Sequence, residues 1–359
     1  VGARLILLTT SWPSVRSPWA GHFVADLARH LARSRPVTVV APAWAGDGGA
    51  LGRPGVTLIP ARLPGAPGSL AARPAWGGVV LASLRRAARE AARAARPGPA
   101  PLWMAHWWPT AWAAPRGAIV TTVLHGSDVD LLERLPRPVA RRALRPGPLV
   151  AVAPHLLRRA LALRRGAWAW PTRVCPLGAR VAPGRRSLGT DAGWWTADPR
   201  PRVLTVARPA PGKGLAVARA AAELLPGVAW LVLGARAPVA PAAVRAALRW
   251  ADLCVVPSEA GPMLPREGRP HVIAQALAAG VPVLGGPNEA VREALGAAGQ
   301  REVRHPGAQA LAQAVRAALE PAALSSLRRA ARAAGAAYTW PAVLPGWEAM
   351  IRAGGVEVA

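Results

Sequence analysis

Lysine is all but missing from this chain: among 45 lysines and arginines, Lys213 is the single lysine. Phe23, Tyr338 and Asn288 are also the only residues of their types. Such a bias is that of a GC-rich coding sequence, with arginine wherever a cation suffices. Two readings of Lys213 are open: a place where a compact ammonium cannot be exchanged for a guanidinium fork, and an accidental survivor on a solvated loop. Cysteine is scarce too. Cys175 and Cys254 stand apart, which excludes a disulfide framework and a Cys–His metal spacing. The longest apolar stretches, such as 224–235, fall short of the roughly 20 residues of a membrane-spanning helix. The N-terminal apolar run is too short for a signal peptide and reads as a first strand, so a cytosolic protein is expected. Gly-x-Gly-x-x-Gly and Gly-x-Ser-x-Gly are both absent, leaving dinucleotide oxidoreductases and serine hydrolases without a motif.

Acidic residues are few as well, 18 in all, and the formal net charge is +27. Such a surface attracts polyanions: nucleic acid, anionic lipid or phosphorylated substrates. Nucleic acid is disfavoured, because no zinc-finger spacing, RNP-like aromatic pattern or basic tail is present. The densest basic run puts Arg85, Arg86, Arg89, Arg93 and Arg96 along one helical face. Both a solvated face and docking on an anionic membrane surface are open for it.

What is present is an alternating α/β pattern in a chain of 359 residues, 52% of them hydrophobic, long enough for two domains. Strand 5–8, loop 9–21, helix 23–33 and strand 37–40 form a βαβ unit. Its loop, rich in Trp, Pro and Ser, exceeds the usual two to six residues, as functional loops do. An irregular Gly/Pro-rich region, 46–78, surrounds a short strand at 56–59. The basic helix follows, then strands near 102–105, 118–124 and 149–152 and a helix at 155–165. A second series begins at Val203, with a helix at 214–225, strand 230–233, helix 242–248, strand 253–256, helix 270–279 and strand 281–284. Helices at 308–319, 322–336 and 344–352 close the chain. Two such series predict two doubly wound parallel-sheet domains, with a boundary near 171–183 and a loop or linker at 186–200.

Candidate chemistry falls at carboxyl ends of the predicted strands, where such sheets bind ligands. Arg208 and Lys213 lie on the loop after one strand. Glu267 precedes Pro270, read as the first helical position, and so sits at a helix N-terminus suited to anions. Gln275 is two turns further along. Two cations, a helix N-terminus and a carboxylate suit a diphosphate carrying a polyhydroxylated group. His125, in His125-Gly126-Ser127-Asp128, follows another strand directly, as a hydrogen-bonding or proton-handling group or as a structural histidine. His106 carries still less signal, and Trp103, Trp107, Trp108 and Trp112 read as core rather than as a sugar platform. Asp128-Val129-Asp130 has a metal-holding form but no third ligand, so Asp128 is read as a loop cap and no metal is expected.

In this order the pieces resemble the retaining glycosyltransferases of family 4 over almost the whole chain. The carriers are Gly21-His22-Phe23-Val24 and its helix, His125-Gly126-Ser127-Asp128, Val152-Ala153-Pro154 and Pro176-Leu177-Gly178. Ala207-Arg208 with Lys213-Gly214, Glu267-Gly268-Arg269-Pro270 through Gln275-Ala276, Ala279-Gly280-Val281-Pro282-Val283 and Gly285-Gly286-Pro287-Asn288-Glu289 complete them. The resemblance implies an α/β GT-B fold, two Rossmann-like doubly wound parallel-sheet domains facing across a cleft. It implies an acceptor-side domain at 1–172, to which 341–359 crosses back, and a donor-binding domain at 173–340. Arg208 and Lys213 would hold the donor diphosphate and stabilise the leaving phosphate. Glu267 would contact the donor sugar, His125 would face it, and Gly21 would let backbone approach the reaction centre. Gly268, Arg269, Val272 and Gln275 would complete the donor site. The donor would be a UDP- or GDP-linked sugar, the acceptor a glycan or lipid-linked molecule at the inner membrane surface, with no metal and no separate cofactor.

Two departures from the family pattern stand out. Gln275 replaces its second glutamate, which binds the nucleotide ribose, leaving a hydrogen-bonding group without charge. Only 16 residues separate Gly234 from Ala251, where relatives have a longer stretch containing another strand. A smaller sheet, altered base recognition and even a catalytically silent paralogue follow as alternatives.

Overall fold

The computed structural model describes residues 2–44, 49–63, 76–96, 98–163, 168–181, 193–235, 239–261, 268–296, 298, 300–303 and 307–355. Two compact units emerge, one of Val1–Pro176 with Leu344–Ala359, the other of Leu177–Val343.

The first unit is built on seven parallel strands: β1 (Leu5–Leu8), β2 (Val37–Trp44), β3 (Val56–Leu63), β4 (Leu102–Ala105), β5 (Val120–Leu124), β6 (Leu149–Ala151) and β7 (Thr172–Val174). Their order is β3-β2-β1-β4-β5-β6-β7. The order reverses at β1, whose register pairs Leu8 with Val40 on one side and Ala105 on the other. Loops leaving β1 and β4 therefore diverge at a topological switch point, where such sheets open a ligand crevice. Strands buried on both faces read as continuous apolar runs, as in Leu5, Ile6, Leu7 and Leu8, all at 0% exposure. Around this sheet run α1 (His22–Leu31), α2 (Trp76–Ala94), α3 (Ser127–Arg134), α4 (Arg137–Ala143) and α5 (Pro154–Ala162). Helix α2 buries Val80, Leu84, Ala87, Ala88 and Ala91 and leaves Arg85, Arg86, Arg89 and Arg93 exposed.

The second unit has five parallel strands: β8 (Arg202–Val206), β9 (Ala229–Leu233), β10 (Leu253–Val256), β11 (Val283–Gly285) and β12 (Arg301–Glu302). Their order is β12-β11-β10-β8-β9. Its helices are α6 (Gly193–Ala197), α7 (Leu215–Glu223), α8 (Pro241–Leu248), α9 (His271–Ala278), α10 (Glu289–Gly296), α11 (Ala308–Leu319) and α12 (Pro321–Gly335), while α13 (Trp340–Ala353) ends the described chain. Strand β9 forms one edge of the sheet, and among the described residues no strand lies between it and α8. The short Gly234–Ala251 stretch thus corresponds to a sheet that stops at β9.

Several expectations are corrected. The stretch 186–200, read as a loop or linker, contains α6, because the fully buried Trp195 packs on the sheet and donates its Nε1 to the Ala229 carbonyl at 2.8 Å. Pro270 is the N-cap of α9 rather than its first helical residue, with ψ 107 still extended. Strands β2 and β3 run longer than read, since Val37↔Val56 pairing continues to Trp44↔Leu63. The last helix begins at Trp340 and carries Pro345 inside it.

Candidate functional site

In the second unit, the loop from β8 to α7 is shaped by two glycines. Gly212 and Gly214 take φ of 78° and 62°, left-handed values that L side chains adopt at a cost of roughly 1–2 kcal/mol. Gly214 caps α7 without a side-chain hydrogen bond, so the first N–H groups of the helix point into the loop. A Cβ at Gly214 would lie 1.9 Å from the Pro257 carbonyl oxygen, at the carboxyl end of β10. Gly214→Ala is expected to destabilise the protein by about 2–4 kcal/mol, from strained φ and forced separation of two loops. A drop in Tm of about 5–15 °C would register it; an unchanged Tm would mean the loops do not pack this way.

Lys213 sits between those glycines, with its N–H bonded to the Ala210 carbonyl at 3.3 Å, and Arg208 is exposed earlier in the same loop. A pocket of about 340 Å³ lies along this loop, walled by Pro209, Gly212, Gly214, Leu215, Arg219 and Glu259 among others. Sequence reading passed over Glu259. Its N–H bonds the Gly212 carbonyl at 2.9 Å, and its own carbonyl accepts from Asn288 Nδ2 at 3.1 Å. Asn288 Oδ1 in turn accepts the Ala290 N–H, so the sole asparagine ties the loops after β10 and β11. Its singularity in the sequence was the available signal.

Helix α9 carries the other candidates. Gln275 is 7% exposed and Val272 is half-buried one turn earlier. Arg269 lies over the Tyr338 ring at 5.5 Å, a contact that orients its guanidinium, and Gly268 precedes it. Glu267 falls outside the described residues.

The first unit holds Gly21 and His125. Gly21 has φ 58° and receives the Val24 and Ala25 N–H bonds at the start of α1. A Cβ there would come 2.3 Å from the Ser11 carbonyl oxygen, so the long loop folds directly onto the glycine. His125 follows β5 as expected. Asp128, in the first turn of α3, gathers the N–H groups of His125, Gly126 and Val129 on Oδ1 at 2.9, 2.8 and 3.0 Å. It is the loop cap the sequence suggested. Trp103 and Trp108 are buried, but Trp112 is exposed and donates Nε1 to the Ala143 carbonyl.

His106, given little weight in the sequence, lies against His125 with ring centroids 4.1 Å apart. Phe23 of α1 closes the group, 5.4 Å from His106 and 5.7 Å from His125. Burial pushes the His125 imidazole down to about 3, and pushes His106 well below its usual value with His125 adding to the effect. At neutral pH both rings are uncharged. His125 can therefore give or take a hydrogen bond but carries no positive charge to a substrate.

Among the described residues no cluster of His, Cys, Asp and Glu has metal-holding form, and no helix is long and apolar enough to cross a membrane.

Residues 237–337, within the second unit, match the sequence model of glycosyl transferases group 1. No curated protein sequence matches the chain. Solved structures do. Sucrose-phosphate synthase from Thermosynechococcus elongatus is 19% identical, with 98% of each chain covered and a TM-score of 0.73. HepE of Anabaena, in complex with UDP-glucose, is 15% identical over 98% of this chain and 100% of its own, at 0.66. The trehalose-6-phosphate synthase OtsA is 12% identical over 99% and 100%, at 0.67. At such identities the likeness is one of fold. The two parallel α/β sheets, of seven and five strands, are those of GT-B glycosyltransferase structures.

Proposed function

We propose that this protein is a retaining glycosyltransferase that moves a hexose-like sugar from a nucleotide-diphosphate donor to a glycan or lipid-linked acceptor without a metal. The observation that carries it is the β8–α7 loop. The single lysine, an exposed arginine and the N-terminus of a helix capped by Gly214 share this loop, which walls a pocket at the carboxyl end of a parallel sheet. Those are the donors a pyrophosphate needs, and the charge that develops on a leaving nucleotide is what they would stabilise. HepE is solved with UDP-glucose, and that donor class is extended here to this chain.

In this proposal the second domain binds the donor through Arg208, Lys213, Glu267, Gly268, Arg269, Val272 and Gln275, and the first receives the acceptor. Neutral His125 would hydrogen-bond a hydroxyl of the transferred sugar, with Gly21 leaving room for it. The exposed arginines of α2 support an anionic membrane surface as a further partner, which suits a lipid-linked acceptor.

A second reading, a silent paralogue that binds nucleotide sugar or a partner enzyme, draws on Gln275 and on the sheet that stops at β9. Thermal-shift measurements with UDP, GDP, ADP and their glucose conjugates test both. A ligand that binds only the folded chain at 100 times its Kd adds about 2.7 kcal/mol and raises Tm visibly. One nucleotide diphosphate should do so, and its sugar conjugate should be consumed when acceptor is present. A shift without turnover across acceptors would favour the silent reading; no shift with any of them would remove the donor site.

A further inference from the structure

We propose that His106 is a positioning residue for His125, holding that ring in one orientation and shielding it from water together with Phe23. The placement follows from the sheet. β4 and β5 pair in parallel with Ala105 opposite Thr122, so the loops leaving these two strands start side by side. His106 is fixed by its own N–H on the Leu8 carbonyl at 2.9 Å, and only 4% of it is exposed. The two imidazoles meet at 4.1 Å in a tilted arrangement, with planes 37° apart. Phe23, the single phenylalanine, completes the enclosure from α1.

The Nε2 atoms of both histidines are buried and have no hydrogen-bond partner among the described residues. Hydrogen bonds through those atoms therefore do not set the His125 ring; packing does. Among the described residues, the titratable groups facing this cluster are His106 beyond β4, Asp128 on α3, and His22, which meets Phe23 on the same helix at 5.6 Å. Asp128 turns its Oδ1 to backbone N–H groups, so packing rather than a counter-charge governs the imidazole.

Ring-¹⁵N NMR of histidine-labelled protein tests this without relying on activity. In the wild type the His125 nitrogens should not move between pH 5 and pH 8. In His106→Ala, water reaches the ring, and a titration with a midpoint above pH 5 should appear. His106→Phe, which restores an aromatic face, should remove it again. Sugar transfer gives the second readout, which rests on the function proposed above. In His106→Ala kcat should fall on the order of 10- to 100-fold, as for a misplaced catalytic contact, with donor KM within about twofold. His106→Phe should recover to within about threefold of wild type. A His125 ring in His106→Ala that stays as silent as in the wild type overturns the proposal, as does a Phe variant that behaves like the Ala variant. Should His106→Ala fail to fold, Phe23→Leu opens the same enclosure from α1 and is read by the same criteria. A wild type that transfers no sugar would remove the proposed function and leave the NMR result to decide the role of His106.

Discussion

Replacing Lys213 by alanine should reduce sugar transfer by on the order of 10²–10³-fold while leaving Tm within about 2 °C of wild type. The separation of the two effects comes from how the loop is made. Its conformation belongs to Gly212 and Gly214, which hold positive φ, and to the Pro257 carbonyl against which Gly214 is pressed. Lys213 contributes a backbone N–H to the Ala210 carbonyl, and alanine supplies the same group. The substitution removes the ammonium and its charge. A preorganised cation acts on the negative charge that grows on the leaving diphosphate, so the loss should fall on kcat more than on donor KM. Lys213→Arg makes the sharper comparison. If the site merely needs positive potential, arginine restores it; if it needs a compact point charge, transfer stays low. The second outcome is expected, because all other Lys/Arg positions of this chain hold arginine and this one holds lysine. Transfer by Lys213→Ala within about threefold of wild type would remove the residue from the chemistry.

Much of the architecture was legible because buried parallel strands and amphipathic helices write their pattern locally. β1, β4, β10 and α11 were read to the residue, each a run whose apolar positions match its burial. Elements whose stability comes from elsewhere were not. β7 is a three-residue strand with two exposed positions, and β12 is Arg301 and Glu302 alone; both exist by pairing with a neighbour. α6 is five residues long and owes its place to one indole under the sheet. α3 begins with Ser127 and Asp128, which read as turn chemistry until Asp128 is seen collecting the N–H groups of that turn.

The same distinction divides the site. Lys213 and Arg208 announced themselves through composition and through their place between a strand and a helix. The His106–His125 contact could not, because it depends on which strands are neighbours, and β4 and β5 lie side by side only in the assembled sheet. Glu259 likewise acquires meaning from its bond to Gly212, a residue on a different strand's loop.

Asp128→Ala should be the most destabilising change at the first unit's candidate site, at about 2–5 kcal/mol. It strips the acceptor from three N–H groups around the β5–α3 turn, each costing roughly 1–3 kcal/mol when left buried and unsatisfied, with some recovered by water. Asp128→Asn is the informative companion, since an amide oxygen still accepts those bonds. The carboxylate itself is held under opposing influences. Burial raises its pKa, the three backbone bonds lower it, and burial prevails, moving it from 3.8 to about 6. The native protein therefore keeps a proton on Asp128 up to about pH 6, while the unfolded chain gives it up near 3.8. Between those values the native state binds more protons, so this group's contribution to stability falls as pH rises through the window, then levels off above it. Urea midpoints of wild type minus Asp128→Asn isolate that contribution from the other carboxylates. The difference should decline from about pH 4 to about pH 6 and stay flat beyond. A difference that rises over the same interval would mean that the three N–H bonds outweigh burial and that the ion is the form this turn was built to hold. Because those bonds include the N–H of His125, the Asn variant should also keep sugar transfer near wild type while the Ala variant loses it, tying the stability of the turn to the placement of the imidazole above it.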